Sequence, residues 1–331
     1  MAKGINIFGT LSGTLGETVY YRSGGEQKQR IRVRRVNNPK TRQQMFQRAK
    51  FSAAGMFYAH GKQNFFPYAF EDKKKNESNF NAFMRNNVKQ SWPISKTMAD
   101  TKIYPVFNYW LMTKGSLRAF QVTIPDTHQE TITGSIFAPG EIANFTTMAE
   151  LSRALIATGD FENIDIVTFL SIEAFNLIGT GAPYPIVNGN TEDVKPATWK
   201  ILQFNLNVND YNTLASYGIE ASNNGESITI SCDSLASGNF MNAGTVIHSR
   251  KTKSSTKVST QSLVLNNALT EQIEEITGIT GYGTDGELDA DYVNAVVDDW
   301  LGIINVTLRP TEILQGANSV NFELQPVQPN P

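Results

Sequence analysis

The side chains that most often carry chemistry are few in this sequence. There are three histidines, His60, His128 and His248, and a single cysteine, Cys232. No two histidines stand four residues apart, as a helical zinc-binding pair would, and the three lie in unrelated segments. Cys232 follows the alternating run Ser-Ile-Thr-Ile-Ser, which predicts a strand with the thiol buried as a small apolar side chain. We therefore expect neither metal binding nor catalysis based on histidine or cysteine.

Two other segments could hold a ligand. Acidic residues alternate along Asp285–Asp291, but they lack the twelve-residue order, central glycine and terminal glutamate of a calcium loop. We interpret them as a solvated segment leading into a helix, where acidic side chains are favoured. Gly9, Gly13 and Gly16 resemble part of a phosphate-binding loop, yet neither GxGxxG nor a following Gly-Lys-Ser/Thr is present. Close backbone approach in a packed arm explains them better, so the sequence predicts no enzyme activity, cofactor, metal site or small-molecule substrate.

The composition is that of a globular chain that can bury a substantial core. Of its 331 residues, 40% are apolar and 18% are charged, and the length suits two domains or one large domain with an extended arm. The single cysteine excludes an intrachain disulfide framework and fits a reducing compartment. The sequence has no signal peptide and no apolar run of about 18 residues, so we expect a protein that stays where it is made and enters no membrane.

The net charge of the whole chain is only −2, but the charges are distributed very unevenly along it. Residues 1–118 carry 21 Lys and Arg against six acidic residues, a net charge of +15, whereas the remainder carries eight against 25, a net charge of −17. Such polarity indicates either nucleic acid bound to the basic third or self-association between basic and acidic regions of neighbouring copies. We favour self-association, because a dedicated nucleic-acid-binding protein rarely carries so acidic a body.

An extended, glycine-rich arm that ends in a basic β-hairpin is predicted for residues 1–36. Gly24 and Gly25 supply the positive φ that a short hairpin turn needs. In the strand expected at residues 30–36, arginines alternate with Ile31 and Val33, the pattern of a half-buried strand. Two interpretations stay open: a solvated cationic edge that prevents aggregation, or a basic ribbon that contacts DNA or an acidic neighbour.

Eight cations are the candidate contact residues, either for an oligomer or for DNA. Six belong to the hairpin strand and the first helix, and two belong to a basic connection in the otherwise acidic half. They are Arg30, Arg32, Arg34, Arg35, Arg42, Arg48, Arg250 and Lys251.

A basic two-helix unit is predicted for residues 37–95. Asn38 can cap the first helix, Pro39 suits its first position, and Gly61 ends it. The buried face of this helix comprises Met45, Phe46, Ala49, Ala53, Met56 and Phe57. The second helix is expected from about residue 77 to residue 91, before Trp92-Pro93, and its buried face comprises Phe80, Phe83, Met84 and Val88.

An acidic, β-rich body is predicted for residues 96–320, followed by a proline-rich extended tail at residues 321–331. Turns of glycine, asparagine and serine favour antiparallel pairing in a sandwich-like architecture. The expected helices are 147–158, 210–217 and 289–301, and the expected strands are 103–105, 109–112, 119–124, 132–137, 164–172, 200–208, 226–232, 244–250, 257–265 and 303–308. The predicted fold class is therefore α+β and β-rich: an N-terminal basic β-hairpin plus a helical pair, then an antiparallel β body with short helices.

The N-terminal segment resembles a known family. Its spaced glycines, the Val19-Tyr20-Tyr21 run and the stretch from Asn38-Pro-Lys-Thr to Phe51 look like those of a family of uncharacterised proteins from gut Bacteroidales bacteria and their tailed phages, the crAss-like phages among them. A later hairpin, Ile247–Gln261, is similar to a C-terminal feature of the same group. The resemblance implies a virion structural role, such as a ring or collar component between portal and tail, and it carries no catalytic residues.

Residues and resemblance together predict a structural subunit of a phage virion. We expect a homo-oligomeric ring at the portal–tail junction, in contact with other virion proteins and assembled in the host bacterial cytoplasm. Heterologous contacts between identical copies close into rings when the rotation permits. The first alternative is a genome-associated virion protein that binds DNA through its basic third. A weaker alternative is a bacterial surface or carbohydrate-binding β module, which would require secretion.

Overall fold

The computed structural model divides the chain into two compact units, residues 1–41 and 42–331, so the helical segment belongs to the same unit as the β body. The residues it describes are 12–23, 26–33, 41–61, 66–91, 108–124, 131–173, 198–232, 241–252, 255–265, 293–294 and 312–314. Several predicted features lie outside these residues: Arg34, Arg35, the cap at Asn38 and Pro39, strand 303–308, most of helix 289–301 and the tail 321–331.

The N-terminal unit contains a three-stranded antiparallel sheet. Its strands, in the order in which they pair, are β1 (Gly13–Leu15), β2 (Thr18–Ser23) and β3 (Glu26–Ile31). The Ser23–Glu26 pair leaves two residues between β2 and β3, as the predicted hairpin requires. Because the connection has only two residues, β3 begins to pair with β2 at Glu26, and it ends at Ile31. The predicted strand at residues 30–36 was placed four residues too late.

Two glycines of this unit have a conformational role. Gly13 has φ +114° and Gly16 has φ +60°, values that L side chains rarely adopt. A Cβ added at either position would meet nothing within 4 Å. The expectation of close backbone approach is therefore wrong at these two positions, where glycine is required by the backbone conformation.

The predicted helical pair is confirmed. Helix α1 spans Arg42–Gly61 and helix α2 spans Asn79–Asn87, with short 3-10 turns at Phe66–Tyr68 and Val88–Gln90. The hydroxyl oxygen of Ser78 caps α2, because it accepts a hydrogen bond from the backbone N–H of Asn81 at 3.1 Å.

An aromatic cluster joins the helices to the β body. Phe57 of α1 stacks on Trp110 with ring centroids 4.8 Å apart, and Phe83 of α2 lies 4.8 Å from Phe66. All four rings are buried. The predicted burial of Phe46, Ala49, Ala53, Phe57, Phe83 and Met84 is confirmed, whereas Met45 and Val88 are only half-buried. Phe80 differs from the prediction because its ring is exposed at the rim of the cluster.

A hydrogen-bonded junction around Glu71 gives a second connection. The backbone N–H of Glu71 donates to the carbonyl of Lys114 at 2.8 Å. Its carboxylate accepts from the backbone N–H of Val258 and from the hydroxyl of Ser116. Hydrogen bonds to an ionised carboxylate are stronger than neutral ones, so this residue ties the helical segment to two strand segments.

The β body contains two principal sheets. One has the strand order β5-β6-β11-β10-β7, and the other has the order β13-β12-β8-β9-β16, with β15 also paired to β12. A further pair joins β14 to β4. The strands are β4 (Leu111–Thr113), β5 (Gln121–Thr123), β6 (Ile132–Phe137), β7 (Ala143–Phe145), β8 (Ile166–Glu173), β9 (Thr198–Asn205), β10 (Ile219–Asn223), β11 (Ser227–Cys232), β12 (Met241–Lys251), β13 (Thr256–Val258), β14 (Gln261–Ser262), β15 (Val264–Leu265) and β16 (Glu312–Leu314). The predicted α+β, β-rich class with antiparallel sheets is confirmed.

Both sheets contribute to one core. Ile132 and Ile230 come from the five-stranded sheet, Phe169 and Phe204 come from the other, and Leu151 comes from helix α3 (Met148–Ala157). All five are fully buried. The core cluster also contains Cys232, and the predicted burial of its thiol on a strand is confirmed.

Local hydrogen bonds explain why one predicted helix is present and another is not. Helix α3 begins at a capping box, in which Thr147 and Glu150 exchange hydrogen bonds. The expected helix at 210–217 is only a 3-10 turn at Leu214–Tyr217, because the carboxylate of Asp210 accepts from the N–H of Asn212 and fixes a turn.

The strand predictions differ from the structure in three respects. Within the β body, β7, β10 and β16 were not predicted, and the expected strand 257–265 is divided into β13, β14 and β15. β16 pairs with β9 in parallel, an exception to the antiparallel pattern.

Two glycine-to-alanine changes should have opposite effects on stability. A Cβ at Gly115 would overlap the carbonyl oxygen of Val258, which is backbone and cannot rotate away. We expect Gly115→Ala to lower the free energy of unfolding by about 1–3 kcal/mol. Gly55 lies inside α1 with nothing within 4 Å of an added Cβ, so Gly55→Ala should raise it by about 0.5–1 kcal/mol. Thermal melts of both variants test the pair, and equal shifts would contradict the packing described here.

Candidate functional site

The basic face of the N-terminal hairpin is the candidate interaction surface. The register of β2 and β3 places Arg30 opposite Val19 and Lys28 opposite Tyr21, so both cations share one face. The Arg30 guanidinium lies 6.0 Å from the centre of the Tyr21 ring, within the range of a cation–π contact. Arg30 and Arg32 are both exposed, so their charges are available to a partner.

The same unit leaves large apolar side chains in water. Leu15, Ile31 and Val33 are 69%, 77% and 62% exposed. Among residues 12–22 and 26–33, none is buried, and the tyrosines of β2 are half-buried. A small sheet needs a covered apolar face to be stable by itself. The register places Leu15 and Ile31 on one face of the sheet and Lys28 and Arg30 on the other, so the described part of this unit exposes an apolar face and a cationic face.

Two other predicted contact residues lie on α1 and have neighbours within their own unit. Arg42 is exposed, and its guanidinium donates to the side-chain oxygen of Asn294 at 2.8 Å. Arg48 is half-buried, and its guanidinium lies 3.6 Å from the sulfur of Met45.

Arg250 forms an internal ion pair. Its Nε donates to Oδ1 of Asp165 at 2.7 Å and its Nη2 donates to Oδ2 at 2.8 Å, while Nη1 donates to Glu162 at 2.6 Å. Such bidentate pairing uses the guanidinium fully. Lys251, the next residue, is exposed, so only the second of these two predicted contact residues has an exposed charge.

Asp165 and His248 complete a buried network around that ion pair. Both side chains are fully buried, with His248 Nε2 2.8 Å from Asp165 Oδ2. The imidazole Nδ1 lies 3.3 Å from the carbonyl oxygen of Arg118, and the ring stacks on Phe161 with centroids 4.3 Å apart. Every polar atom of the imidazole thus faces a partner inside the protein, which suits a structural role.

The charge of Asp165 is stabilised by its donors. Burial alone would raise the pKa of this carboxyl, but hydrogen bonds from Arg250 and His248 and from the backbone N–H of Glu162 outweigh burial and hold its pKa below the usual value. The ionised carboxylate therefore connects β12 to the segment before β8. Sequence reasoning missed it because Asp165 and His248 lie far apart in the chain and match no motif.

A cleft of about 560 Å³ lies on the outer side of the five-stranded sheet. Its polar lining includes Asn144, Thr213, Ser222 and Glu220. These groups can hydrogen-bond a polar molecule, but this lining contains a single carboxylate and no histidine, cysteine or lysine. The cleft therefore offers no paired acid and base.

Among the residues that the structure describes, no three His, Cys, Asp or Glu side chains come together as a metal site would require. No helix among the same residues combines the length and apolarity needed to cross a bilayer.

Removing the buried carboxylate should be costly at neutral pH. Asp165→Asn leaves the Arg250 guanidinium without its charged partner, and breaking a buried pair costs about 3–5 kcal/mol. Glu162→Gln, which removes only the exposed partner of Arg250, should cost under about 1 kcal/mol. Thermal or urea unfolding at pH 7 measures both changes.

The same two variants test the pH dependence. Because the pKa of Asp165 is lowered in the folded protein, its contribution is complete above the pKa of about 3.9 of an unfolded aspartate and is lost as the pH falls through the folded value. The difference in stability between wild type and Asp165→Asn should therefore narrow as the pH is lowered below about 4. A difference that stays constant down to pH 2 would show that the carboxylate does not stabilise the fold through its charge.

Known proteins give no further guide to the site. Comparison with protein-family models, with curated proteins and with solved structures finds no match to the chain. Support for a function therefore comes from the hairpin geometry and the charge distribution.

Proposed function

We propose that this chain is a structural subunit of a phage virion, a ring or collar protein at the portal–tail junction. Its copies assemble through basic-to-acidic contacts, with the N-terminal hairpin of one copy bound to the acidic body of the next. The subunit acts by assembly and has no enzymatic role. Other virion proteins bind above and below the ring.

The observation that carries the proposal is the absence of buried residues in the described part of the hairpin unit. Its sheet pairs in full register over nine residue pairs, yet Leu15, Ile31 and Val33 remain in water. Ordering a backbone costs about 1–2 kcal/mol per residue, and a sheet without a core cannot offset that cost alone. Docking on another protein surface would supply the missing burial.

The charge distribution supports a second copy of this chain as the partner. The first 118 residues carry a net charge of +15 and the rest carry −17, so each copy offers both halves of an electrostatic contact. Complementary surfaces of this kind fix the orientation of the partners and accelerate encounter. When identical copies bind each other through two different surfaces, they form a ring if the rotation between neighbours closes. The resemblance of the N-terminal segment to proteins of crAss-like phages supports the virion context.

One observation favours a second candidate, a genome-associated DNA-binding protein. Arg30 and Lys28 stand on one face of β3. Beyond the short β1, β2 and β3 continue as two strands, and a two-stranded ribbon fits the major groove of DNA. Such binding would weaken steeply with salt, since each neutralised phosphate releases counterions.

Charge reversal of the hairpin should abolish assembly and leave the body folded. We expect light scattering to show a discrete oligomer for the wild type at low salt and a monomer for Arg30→Glu combined with Arg32→Glu. Both side chains are exposed, so the melting temperature of the body should be unchanged. Adding Arg34→Glu and Arg35→Glu should have the same effect.

The matched control reverses two exposed cations elsewhere, Lys75→Glu with Lys89→Glu. This variant should still assemble. A hairpin variant that forms the wild-type oligomer would refute the proposal. A wild-type monomer that binds duplex DNA with a steep salt dependence would favour the genome-binding candidate.

A further inference from the structure

The outer face of the five-stranded sheet carries rows of polar side chains. Residues that pair directly across neighbouring antiparallel strands lie on the same face, and one such row crosses all five strands with a hydroxyl or an amide on each. Its members are Asn144, Ser222, Thr229, Ser135 and Gln121. In the next row, Glu220, Ser231 and Thr133 pair across three strands. None of these side chains is buried, so this face presents hydrogen-bonding groups to water.

The cleft of about 560 Å³ lies over one side of this polar face. Asn144, Glu220, Ser222, Thr229 and Ser231 line it, and they come from β7, β10 and β11. Its volume is within the range of sites for small molecules, about 300–1,000 Å³. The two polar rows therefore form the floor of a cleft that is large enough for a ligand.

The wall of the cleft comes from two chain connections, one after β7 and one before β10. Thr146 and residues 213–215 line the cleft there. The backbone N–H of Leu214 donates to the carbonyl of Thr146 at 3.0 Å, and Thr147 pairs with Thr213 in an isolated antiparallel bridge. The two connections are thus held against each other, and a site that is fixed in advance loses little freedom when a ligand binds.

The floor of the cleft has unused hydrogen-bonding capacity. Within the described part of the chain, the side chains of Asn144, Glu220 and Ser222 form no hydrogen bond with another protein group. The Thr229 hydroxyl lies 3.2 Å from that of Ser135. A bond between two hydroxyls uses only one of their two protons, so one proton of this pair is free to bond elsewhere. A ligand in the cleft therefore finds amide and hydroxyl donors together with hydroxyl and carboxylate acceptors.

The lining also indicates the chemical class of the ligand. Among the described residues that form it, there is one carboxylate and no lysine, arginine or histidine, so a phosphate, a sulfate or a nucleic-acid backbone would find no cation there. A carboxylate can accept from two neighbouring hydroxyls, and an amide both donates and accepts. Phe145 lines the cleft too, and the negative face of an aromatic ring attracts the C–H groups of a sugar. This combination suits an uncharged ligand with many hydroxyl groups.

We infer that the cleft binds a neutral oligosaccharide. The side chains of Asn144, Glu220 and Ser222 bond to its hydroxyl groups, and the hydroxyls of Thr229 and Ser231 extend the contact along the floor. The cleft binds the sugar without cleaving it, since a single carboxylate gives no acid–base pair. The inference goes beyond the proposed function, because it assigns a ligand to the β body and does not depend on how copies assemble.

Four neutral trisaccharides test the inference on the full chain: maltotriose, cellotriose, mannotriose and chitotriose. Saturation-transfer NMR of each sugar detects binding, and calorimetry measures its affinity. We expect at least one of the four to bind. Asn144→Ala and Glu220→Gln should each weaken that binding about tenfold, because each removes a group that bonds to the ligand. Ser222→Trp should abolish binding, because the indole would fill the cleft.

The matched control is Gln121→Ala. Gln121 lies in the same row as Asn144, at the opposite edge of the sheet and outside the cleft lining. Both side chains are exposed amides, so the two alanine variants should have the melting temperature of the wild type. Gln121→Ala should bind the sugar as tightly as the wild type does.

Three results would overturn the inference. The first is that none of the four sugars binds. The second is that Asn144→Ala and Glu220→Gln bind the sugar as tightly as the wild type, which would put the sugar at another site. The third is that a sulfated trisaccharide binds more tightly than its neutral parent, which would contradict the assignment of an uncharged ligand.

Light scattering on the same samples separates this inference from the proposed function. If the wild type forms a discrete oligomer but binds none of the sugars, only the inference fails. If the wild type binds a sugar but is monomeric at low salt, only the proposed function fails.

Discussion

A β-sheet is stable in water only when one of its faces is covered. The two units of the chain differ in how they meet this requirement. The β body meets it internally, because both principal sheets contribute fully buried side chains such as Phe169 and Ile230 to one core. The hairpin unit has strand pairing of similar regularity, but none of the side chains at residues 12–22 and 26–33 is buried. Pairing supplies hydrogen bonds, whose net contribution is small, whereas burial supplies most of the stabilisation. The difference between the units is therefore a difference in burial.

Charged side chains have two different roles in this chain. Inside the body, Asp165 and Arg250 form a buried bidentate pair beside His248, which holds elements together at positions far apart in sequence. On the surface, Arg30 and Glu141 stand in water, where a charge contributes little to the stability of its own chain. Charges of the second kind matter mainly for a partner, since they set encounter rate and orientation.

The sequence predicts the elements whose signals are local. The predicted helix at residues 147–158 begins in the structure at a capping box, which involves only neighbouring residues, and the strand ending at Cys232 follows from simple alternation. The two-residue turn places the start of β3 at Glu26. The alternation in the basic run after Gln29 instead predicted a strand that starts at residue 30. Arg250 shows why the site was harder to predict than the fold: its role depends on Asp165, 85 positions earlier, which no pattern connects to it.

The central claim is that the hairpin is covered by another copy of the chain. Amide hydrogen exchange of residues 18–31 tests it most directly, measured on the oligomer at low salt and on the monomer at high salt. We predict that these amides are protected in the oligomer and exchange rapidly in the monomer, while those of β8 and β12 are protected in both. Equal protection of the hairpin amides in oligomer and monomer would contradict the claim, because the hairpin would then be stable without a neighbour.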